Sequence, residues 1–594
     1  MPRPSGIRGR GRGRGRGGMA PLPLLCLLVL AGCPNGGANP GPAKAPPAAN
    51  DANDANAADP EVQWLTEITR EAGLDFIHES DADGHFRMPE IMGSGCGMFD
   101  YDNDGDLDLY LINGNHALSG RDLPPPRNRL YRNEGDGTFT DVTDASGLGD
   151  EGYGFGLAVG DIDNDGDADV YLANYGPDQL YRNNGDGTFT NITTDAGIAV
   201  DKWSTSAAFL DYDRDGFLDL SICRYVQWLP DKRCTDAAGR PDYCGPQVFE
   251  YETDVLLRNN GDGTFTDVSA VAGIAATAMP GLGVVCDDFD DDGWPDIAVA
   301  NDGEENFLWI NHRDGTFRER AVILGVAYNL HGAAEAGMGV LAEDFDGDAR
   351  ADLFMTHLTN QTNTLYRNRG DGTGFDDRTG AMGLAASSQR YTGFGAAAFD
   401  VDLDGDLDLM VANGKVQKSE AIPGADIEAP WDVYAEPNLL YDGAGDGPFV
   451  PVRDPHSTFT SLHELSRGMA VGDIDRDGDL DVLISNTQGP ARLYRNDARR
   501  RGHWLMIEAI DPALKREAIG ARLVIHAGGR SWVRTVRRAS SYLSSNDPRA
   551  HVGLGDAASF DRIEVRWPDG SAETFAGGAA DRFITLRKGE GATP

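Results

Sequence analysis

The 594-residue chain is 40% hydrophobic and carries a formal net charge of −43, so it can bury large cores and is too long for one small domain. The charge is uneven: residues 1–60 and 497–594 each carry a net +4, which leaves −51 on residues 61–496. So acidic a surface repels nucleic-acid phosphates and anionic lipid headgroups, which excludes nucleic acid as a partner and favours cations.

Residues 1–33 read as an export signal: basic MPRPSGIRGRGRGRGRGG, apolar MAPLPLLCLLVLAG, then Leu30, Ala31, Gly32 and Cys33. The LAGC close resembles a bacterial lipobox, which implies cleavage before Cys33 and a lipid on its sulfur. An ordinary signal peptide cut nearby is the alternative, and Met19 is a second candidate start. The apolar run is short for a membrane span, so a membrane is expected to be met only through the lipid. Residues 34–60 have the composition of a disordered tether. The protein is expected outside the cytoplasm, as an outer-membrane or cell-surface lipoprotein or as a secreted protein.

Residues 61–496 are repetitive. Nine-residue acidic loops begin at Asp100, Asp161, Asp211, Asp288, Asp344, Asp400 and Asp473, at spacings of 61, 50, 77, 56, 56 and 73 residues. Each loop lies among short β-type runs closed by turn residues, and LYRN or a variant of it (LLRN, LWIN, LYDG) recurs after every one. Four strands per unit and seven units predict an all-β, seven-bladed β-propeller. The seventh unit lacks its last strand, whereas LTEITREAGL at 65–74 aligns with FTDVTDASGL at 139–148. The N-terminal strand is therefore expected to complete the last blade and remove the open edges. Five units carry Gly-x-Gly just before the loop, read as small residues where innermost strands crowd together. In the insertion CRYVQWLPDKRCTDAAGRPDYC a Cys234–Cys244 bridge is expected, with the pairing of Cys223 open. Cys96 and Cys286 are read as buried free thiols.

Several carboxylates in one tight turn repel one another unless a cation sits among them. Loop positions 1, 3, 5 and 9 are Asp in all seven copies. These candidate metal ligands are Asp100, Asp102, Asp104 and Asp108; Asp161, Asp163, Asp165 and Asp169; Asp211, Asp213, Asp215 and Asp219; Asp288, Asp290, Asp292 and Asp296; Asp344, Asp346, Asp348 and Asp352; Asp400, Asp402, Asp404 and Asp408; and Asp473, Asp475, Asp477 and Asp481. Oxygen-only donors on a loop suit Ca²⁺ better than Zn²⁺ or Mg²⁺. An EF-hand is excluded because position 12 is apolar in every copy (Leu111, Leu172, Ile222, Val299, Met355, Val411, Ile484). Up to seven Ca²⁺ sites are expected. The fifth is expected to be the weakest, because Ala349 replaces the position-6 glycine and Gly347 stands at position 4.

The loops, with GFG and FDYDNDGDLDLYLIN, resemble the FG-GAP or VCBS repeats of integrin α-subunit propellers, which bind calcium in such loops. Residues 497–594 read as a small β domain, and AIGARLVIHAGGRSWVRTVRRASSYLSSNDPRAHVGLGDAASFDRIEVRWPDGS at 518–571 is similar to the ASPIC/UnbV domain. That order of domains resembles the cartilage acidic protein family, as does the CRYVQW…YC insertion. The resemblance implies extracellular calcium binding and adhesion, without an established reaction. The expected function is therefore a binding module for an extracellular protein partner. The alternative is a glycan-binding protein or calcium-dependent polysaccharide lyase, for which Trp203, Tyr225, Trp228, Tyr243 and Trp431 could stack on sugars, unless they are fillers between blades. His116, His331, His357 and His463 lie in loops of different units, and no hydrolase or nucleotide-binding motif is present, so an enzyme is not expected. The Arg369–Asp371 RGD is read as part of the repeated GDG turn.

Overall fold

The computed structural model describes residues 64–370, 372–452 and 457–593. The expected signal, Cys33 and the tether lie outside them, as does Asp371 of the RGD. The chain is mostly β. Sequence alternation and turn glycines produce short antiparallel meanders, of which Tyr153–Gly160, Asp169–Tyr175, Gln179–Asn183 and Phe189–Asn191 form one four-stranded sheet. Seven sheets repeat this pattern among the described residues, their first strands beginning at Cys96, Tyr153, Ser204, Gly281, Val340, Gly393 and Ser466. In the seventh, the fourth strand is Leu65–Glu67, paired with Arg492–Asn496 in the register Leu65↔Asn496.

Apolar cores lie between neighbouring sheets. Tyr110 and Leu130 of the first sheet share one with Leu157 and Val170 of the second. Leu109 and Tyr131 of the first share another with Leu483 and Leu493 of the seventh. First strands of successive sheets also touch, and that of the seventh touches that of the first. The Gly-x-Gly pairs have a specific cause here. A Cβ on Gly339 would lie 2.1 Å from the Phe394 carbonyl oxygen of the next sheet, so only glycine lets the two backbones approach.

Beyond the seventh sheet, His503–Asp511, Ala550–Gly555 and Arg582–Arg587 form one sheet, and Arg522–Ala527, Arg530–Thr535, Ser559–Arg566 and Ala572–Ala579 another. Between them the chain runs among the seven first strands. Ser544–Ser545 pairs in parallel with Cys96–Phe99, Ser541 exchanges backbone hydrogen bonds with Val340, and the Leu543 N–H donates to Ser206 Oγ at 3.0 Å. Tyr542 is fully buried against Phe394, ring centroids 4.9 Å apart. A Cβ on Gly95 would fall 1.7 Å from the Leu543 carbonyl oxygen. This glycine therefore faces the C-terminal segment, and the crowding there is not between repeats alone.

Cys234 and Cys244 form a disulfide. Cys96 and Cys223 are buried free thiols, whereas Cys286 is only partly buried, contrary to the sequence reading.

One polar contact repeats around the array. The last residue of LYRN sends its amide nitrogen to the position-2 carbonyl of the preceding unit's acidic loop: Asn183 to Tyr101 (2.8 Å), Asn259 to Ile162 (2.8 Å), Asn311 to Tyr212 (2.9 Å), Asn368 to Phe289 (2.9 Å) and Asn496 to Val401 (2.9 Å). Asn133 of the first unit reaches Ile474 of the seventh at 2.8 Å. The sixth unit has Gly443 in this place and lacks the bond. Because these amides are buried, Asn259→Ala leaves the Ile162 and Leu218 carbonyls without a donor and should cost about 1–3 kcal/mol in urea unfolding. The exposed neighbour substitution Asn260→Ala should stay within about 0.5 kcal/mol. Equal losses for the two would show that the amide does not join the sheets.

Candidate metal centres

Each acidic loop joins the first and second strands of its sheet. The position-1 carboxylate accepts the position-6 N–H in all seven loops at 2.7–3.1 Å. The position-9 carboxylate accepts two backbone N–H groups, one from position 2 and one from the last residue of LYRN or its equivalent; for Asp108 these are Tyr101 at 3.0 Å and Asn133 at 2.8 Å. Position 9 is thus a strut as well as a potential ligand, holding the loop onto the third strand while the asparagine that ends LYRN holds the preceding unit's loop.

Two backbone positions per loop are left-handed. Position 6 is glycine except at Ala349, whose φ is 70°. Position 4 is left-handed too, with Asn103, Asn164, Arg214, Asp291, Leu403 and Arg476 all at φ 59–64° and Gly347 at 73°. The fifth loop therefore moves its strain from position 4 to position 6. The sixth places Leu403 where L-residues with bulky side chains rarely go, although its position 6 keeps the usual glycine, Gly405.

In the first four loops, oxygens of positions 1, 3 and 9 lie within 4.8 Å of one another: Asp100, Asp102 and Asp108; Asp161, Asp163 and Asp169; Asp211, Asp213 and Asp219; Asp288, Asp290 and Asp296. In the fifth the set is Asp344, Asp346 and Asp348, with position 5 in place of Asp352. Asp104, Asp165, Asp215 and Asp292 fall outside these triads. Oxygens of Asp100, Asp102, Asp163, Asp211, Asp348 and Asp402 are buried without a hydrogen-bond donor. Converging buried carboxylate oxygens that lack donors fit a hard divalent cation.

Electrostatics point the same way. Burial pushes the position-1 carboxyls up, to about 6 for Asp100, Asp161, Asp211, Asp288 and Asp344, about 7 for Asp473 and about 8 for Asp400. Burial also raises every position-3 carboxyl, and one guanidinium opposes it in each loop: Arg132 at Asp102, Arg182 at Asp163, Arg258 at Asp213, Arg313 at Asp290, Arg367 at Asp346, Arg501 at Asp402 and Arg495 at Asp475. Five of these arginines belong to LYRN or LLRN.

The C-terminal strands contribute donors as well. Arg516 donates to the Gly216 carbonyl at 3.1 Å, Arg522 to that of Ala349, and Trp532 Nε1 to that of Gly405 at 2.7 Å. Arg566 pairs with Asp288, and Arg537 bridges Asp287 and Glu343. The basic tail therefore sits on the loop-bearing end of the acidic sheets instead of presenting a separate surface.

The aromatic candidates divide. Trp203 and Tyr225 are buried fillers, 2% and 0% exposed. Trp228, Tyr243 and Trp431 are partly exposed, and Trp431 lines a cavity of about 350 Å³ with Asp426, Glu428 and Gln488. The histidines have separate surroundings: His116 lies 3.3 Å from Asp81, His357 is buried with Nδ1 2.8 Å from the Thr362 carbonyl, the His463 N–H donates to Asp426, and His331 is exposed. Arg369 of the RGD donates to the Thr373 carbonyl inside its own turn. Two features escaped the sequence reading, the LYRN asparagine contact and the C-terminal segment among the first strands. The constancy of that asparagine in six of seven units was the available signal for the first.

The sequence matches the FG-GAP-like repeat family over residues 100–172, 161–221, 288–355 and 344–411, and the ASPIC and UnbV family over 512–593. It is 24% identical over 515 residues to cartilage acidic protein 1 of Mus musculus and 26% over 502 residues to that of Xenopus tropicalis; each alignment covers 82% of this chain and, respectively, 63% and 64% of the relative. The chain thus spans under two thirds of the length of these relatives. Among solved structures, an Agrocybe aegerita lectin that recognises non-reducing terminal N-acetylglucosamine is similar at TM-score 0.37 and 18% identity, covering 62% of this chain and 81% of that one. A Burkholderia pseudomallei lectin gives 0.41 and 10%, covering 69% and 97%, and an exotype rhamnogalacturonan lyase 0.35 and 15%, covering 69% and 73%. At such TM-scores none of them carries a ligand or a reaction over to this chain. The chain is thus similar to the cartilage acidic proteins, with FG-GAP-like repeats followed by a C-terminal ASPIC and UnbV domain.

Proposed function

We propose that this is a calcium-binding, non-enzymatic binding module that works outside the cytoplasm, built as a closed seven-bladed propeller. The observation that carries the calcium reading is the convergence of buried, donor-lacking aspartate oxygens in repeated loops. Closure is supported by the core shared between the seventh and first sheets and by the Asn133–Ile474 contact. The Cys234–Cys244 disulfide suits an oxidising compartment, and among the described residues no helix is long and apolar enough to cross a membrane. Export and a lipid on Cys33 remain part of the proposal.

Topology supports one face over the other for a protein partner. Acidic loops lie at one end of the antiparallel strands, where the C-terminal arginines sit. The opposite end carries the longer connections between second and third strands, including the disulfide-bridged insertion and residues 414–438. A partner is therefore expected at that opposite end. The second reading, a glycan ligand, is favoured by one observation, the Trp431 cavity bounded by Asp426, Glu428 and Gln488. An indole face beside hydrogen-bonding side chains is suited to a sugar ring.

Three measurements test these readings. Stripped of metal and titrated calorimetrically, the protein should take up several moles of Ca²⁺ per mole and melt at a higher temperature when loaded; no uptake would end the calcium reading. The metal-free form should lose stability as pH rises. Position-1 carboxyls held near 6–8 in the folded state bind protons that the unfolded chain releases near 4, so their contribution is complete below about pH 4 and disappears as pH climbs through 6–8. Melting temperatures in chelator should accordingly fall from pH 5 to pH 8, and Ca²⁺ should reduce that fall. On a glycan array, the loaded protein should bind sugars saturably, and Trp431→Ala should abolish it, if the second reading holds; binding to protein partners alone would favour the first.

A further inference from the structure

The sixth loop departs from its six counterparts. Its unit reads LYDG, so Asp442 stands where five units have arginine, and Gly443 where six have asparagine. Unit four also lacks the arginine, with Ile310 in its place, but Arg313 from its own turn donates to Asp292 at 2.6 Å. Among the described residues of the sixth unit nothing similar faces the loop. Asp442 instead adds a carboxylate beside Asp402 and Asp404.

The missing charge arrives from outside the repeats. Arg501 Nε lies 2.8 Å from Asp402, and Nη1 lies 3.3 Å from Asp404 and 3.8 Å from Asp442. The Arg501 N–H donates to the Asp402 carbonyl at 2.6 Å, which fixes the segment along the loop. The surroundings are close. A Cβ on Gly502 would meet the Leu403 carbonyl at 2.4 Å, and one on Gly553 would meet Asp400 at 1.7 Å. Asp402 is 2% exposed, whereas its counterparts Asp102, Asp163 and Asp213 are partly exposed. Other charges facing this cluster are Asp400 and Asp408 of the loop, Asp406, Arg534, whose charge acts on Asp400, and Arg530, which pairs with Asp406 at 2.5 Å.

We propose that Arg501 is the counter-cation of the sixth loop, lent by the C-terminal segment, and that a divalent ion at this loop competes with it. This rests on the calcium reading of the loops. At the other six, the guanidinium opposite position 3 belongs to the repeat itself, although Arg566 and Arg500 of the C-terminal segment add pairs to Asp288 and Asp477. At the sixth, metal occupancy and the seating of residues 501–503 are linked, because each is favoured by the same three carboxylates.

Calcium titration of the full chain, followed by calorimetry and by native mass spectrometry to count bound ions, tests this. Arg501→Gln should strengthen one site by about tenfold, leaving the others unchanged, and Arg501→Lys should return it close to the parent. Asp442→Arg, which restores the repeat pattern, should weaken one site by a similar factor. A folding defect cannot produce changes of opposite sign in the two variants. Limited proteolysis should cut near residues 499–503 more readily in calcium than in chelator in the parent, and without that difference in Asp442→Arg. If the parent takes up calcium yet neither Arg501→Gln nor Asp442→Arg alters any site, the role given to Arg501 is wrong. If the parent takes up none, the calcium reading itself falls.

Discussion

Ionised carboxylates buried a few ångströms apart are the constraint on which this structure turns. Removing each from water costs several kcal/mol, and mutual repulsion adds to that. Seven clusters of such groups persist because part of each carboxylate set is matched by peptide donors or by a guanidinium. Position 1 accepts a peptide N–H, position 9 accepts two, and position 3 faces one guanidinium. What remains is oxygen buried without donors, and a hard cation is the natural complement.

The same carboxylates organise the architecture. Position 9 fixes its loop to the third strand, and the asparagine at the end of that strand fixes the preceding loop. Local electrostatic satisfaction and sheet-to-sheet registry are thus one network, and a change in either is felt in the other. The C-terminal strands extend it, with Arg516, Arg522 and Trp532 all ending on loop carbonyls. A net-positive domain packed on a net-negative array is stabilised by this distribution, although each exposed pair alone contributes little.

Much of this was legible from residue order. The loops, strand count per unit, N-terminal strand in the seventh sheet and β character of the tail follow from alternation, turn chemistry and repetition, which are local signals. Other features are not local. Nothing in SSYLSSN or near it in the chain shows that Tyr542 would be buried beside Phe394 or that Ser545 would pair with Gly97. Trp203 and Tyr225 read either as sugar-stacking faces or as fillers between blades, and only tertiary packing decides for the second. Strain at Leu403 was hidden because a left-handed position with no glycine leaves no mark in the sequence.

Threading residues 539–545 between the first strands has a kinetic consequence. Leu65–Glu67 must wait for Arg492–Asn496, more than 400 residues later, and the central space is filled only by chain that emerges from the ribosome later still. Early repeats can form their meanders and the cores between consecutive sheets as they appear, but the contact of the seventh sheet with the first and the filling of the space among the first strands await nearly the whole polypeptide. Maturation is therefore an event of the finished chain, paced by long loop closures.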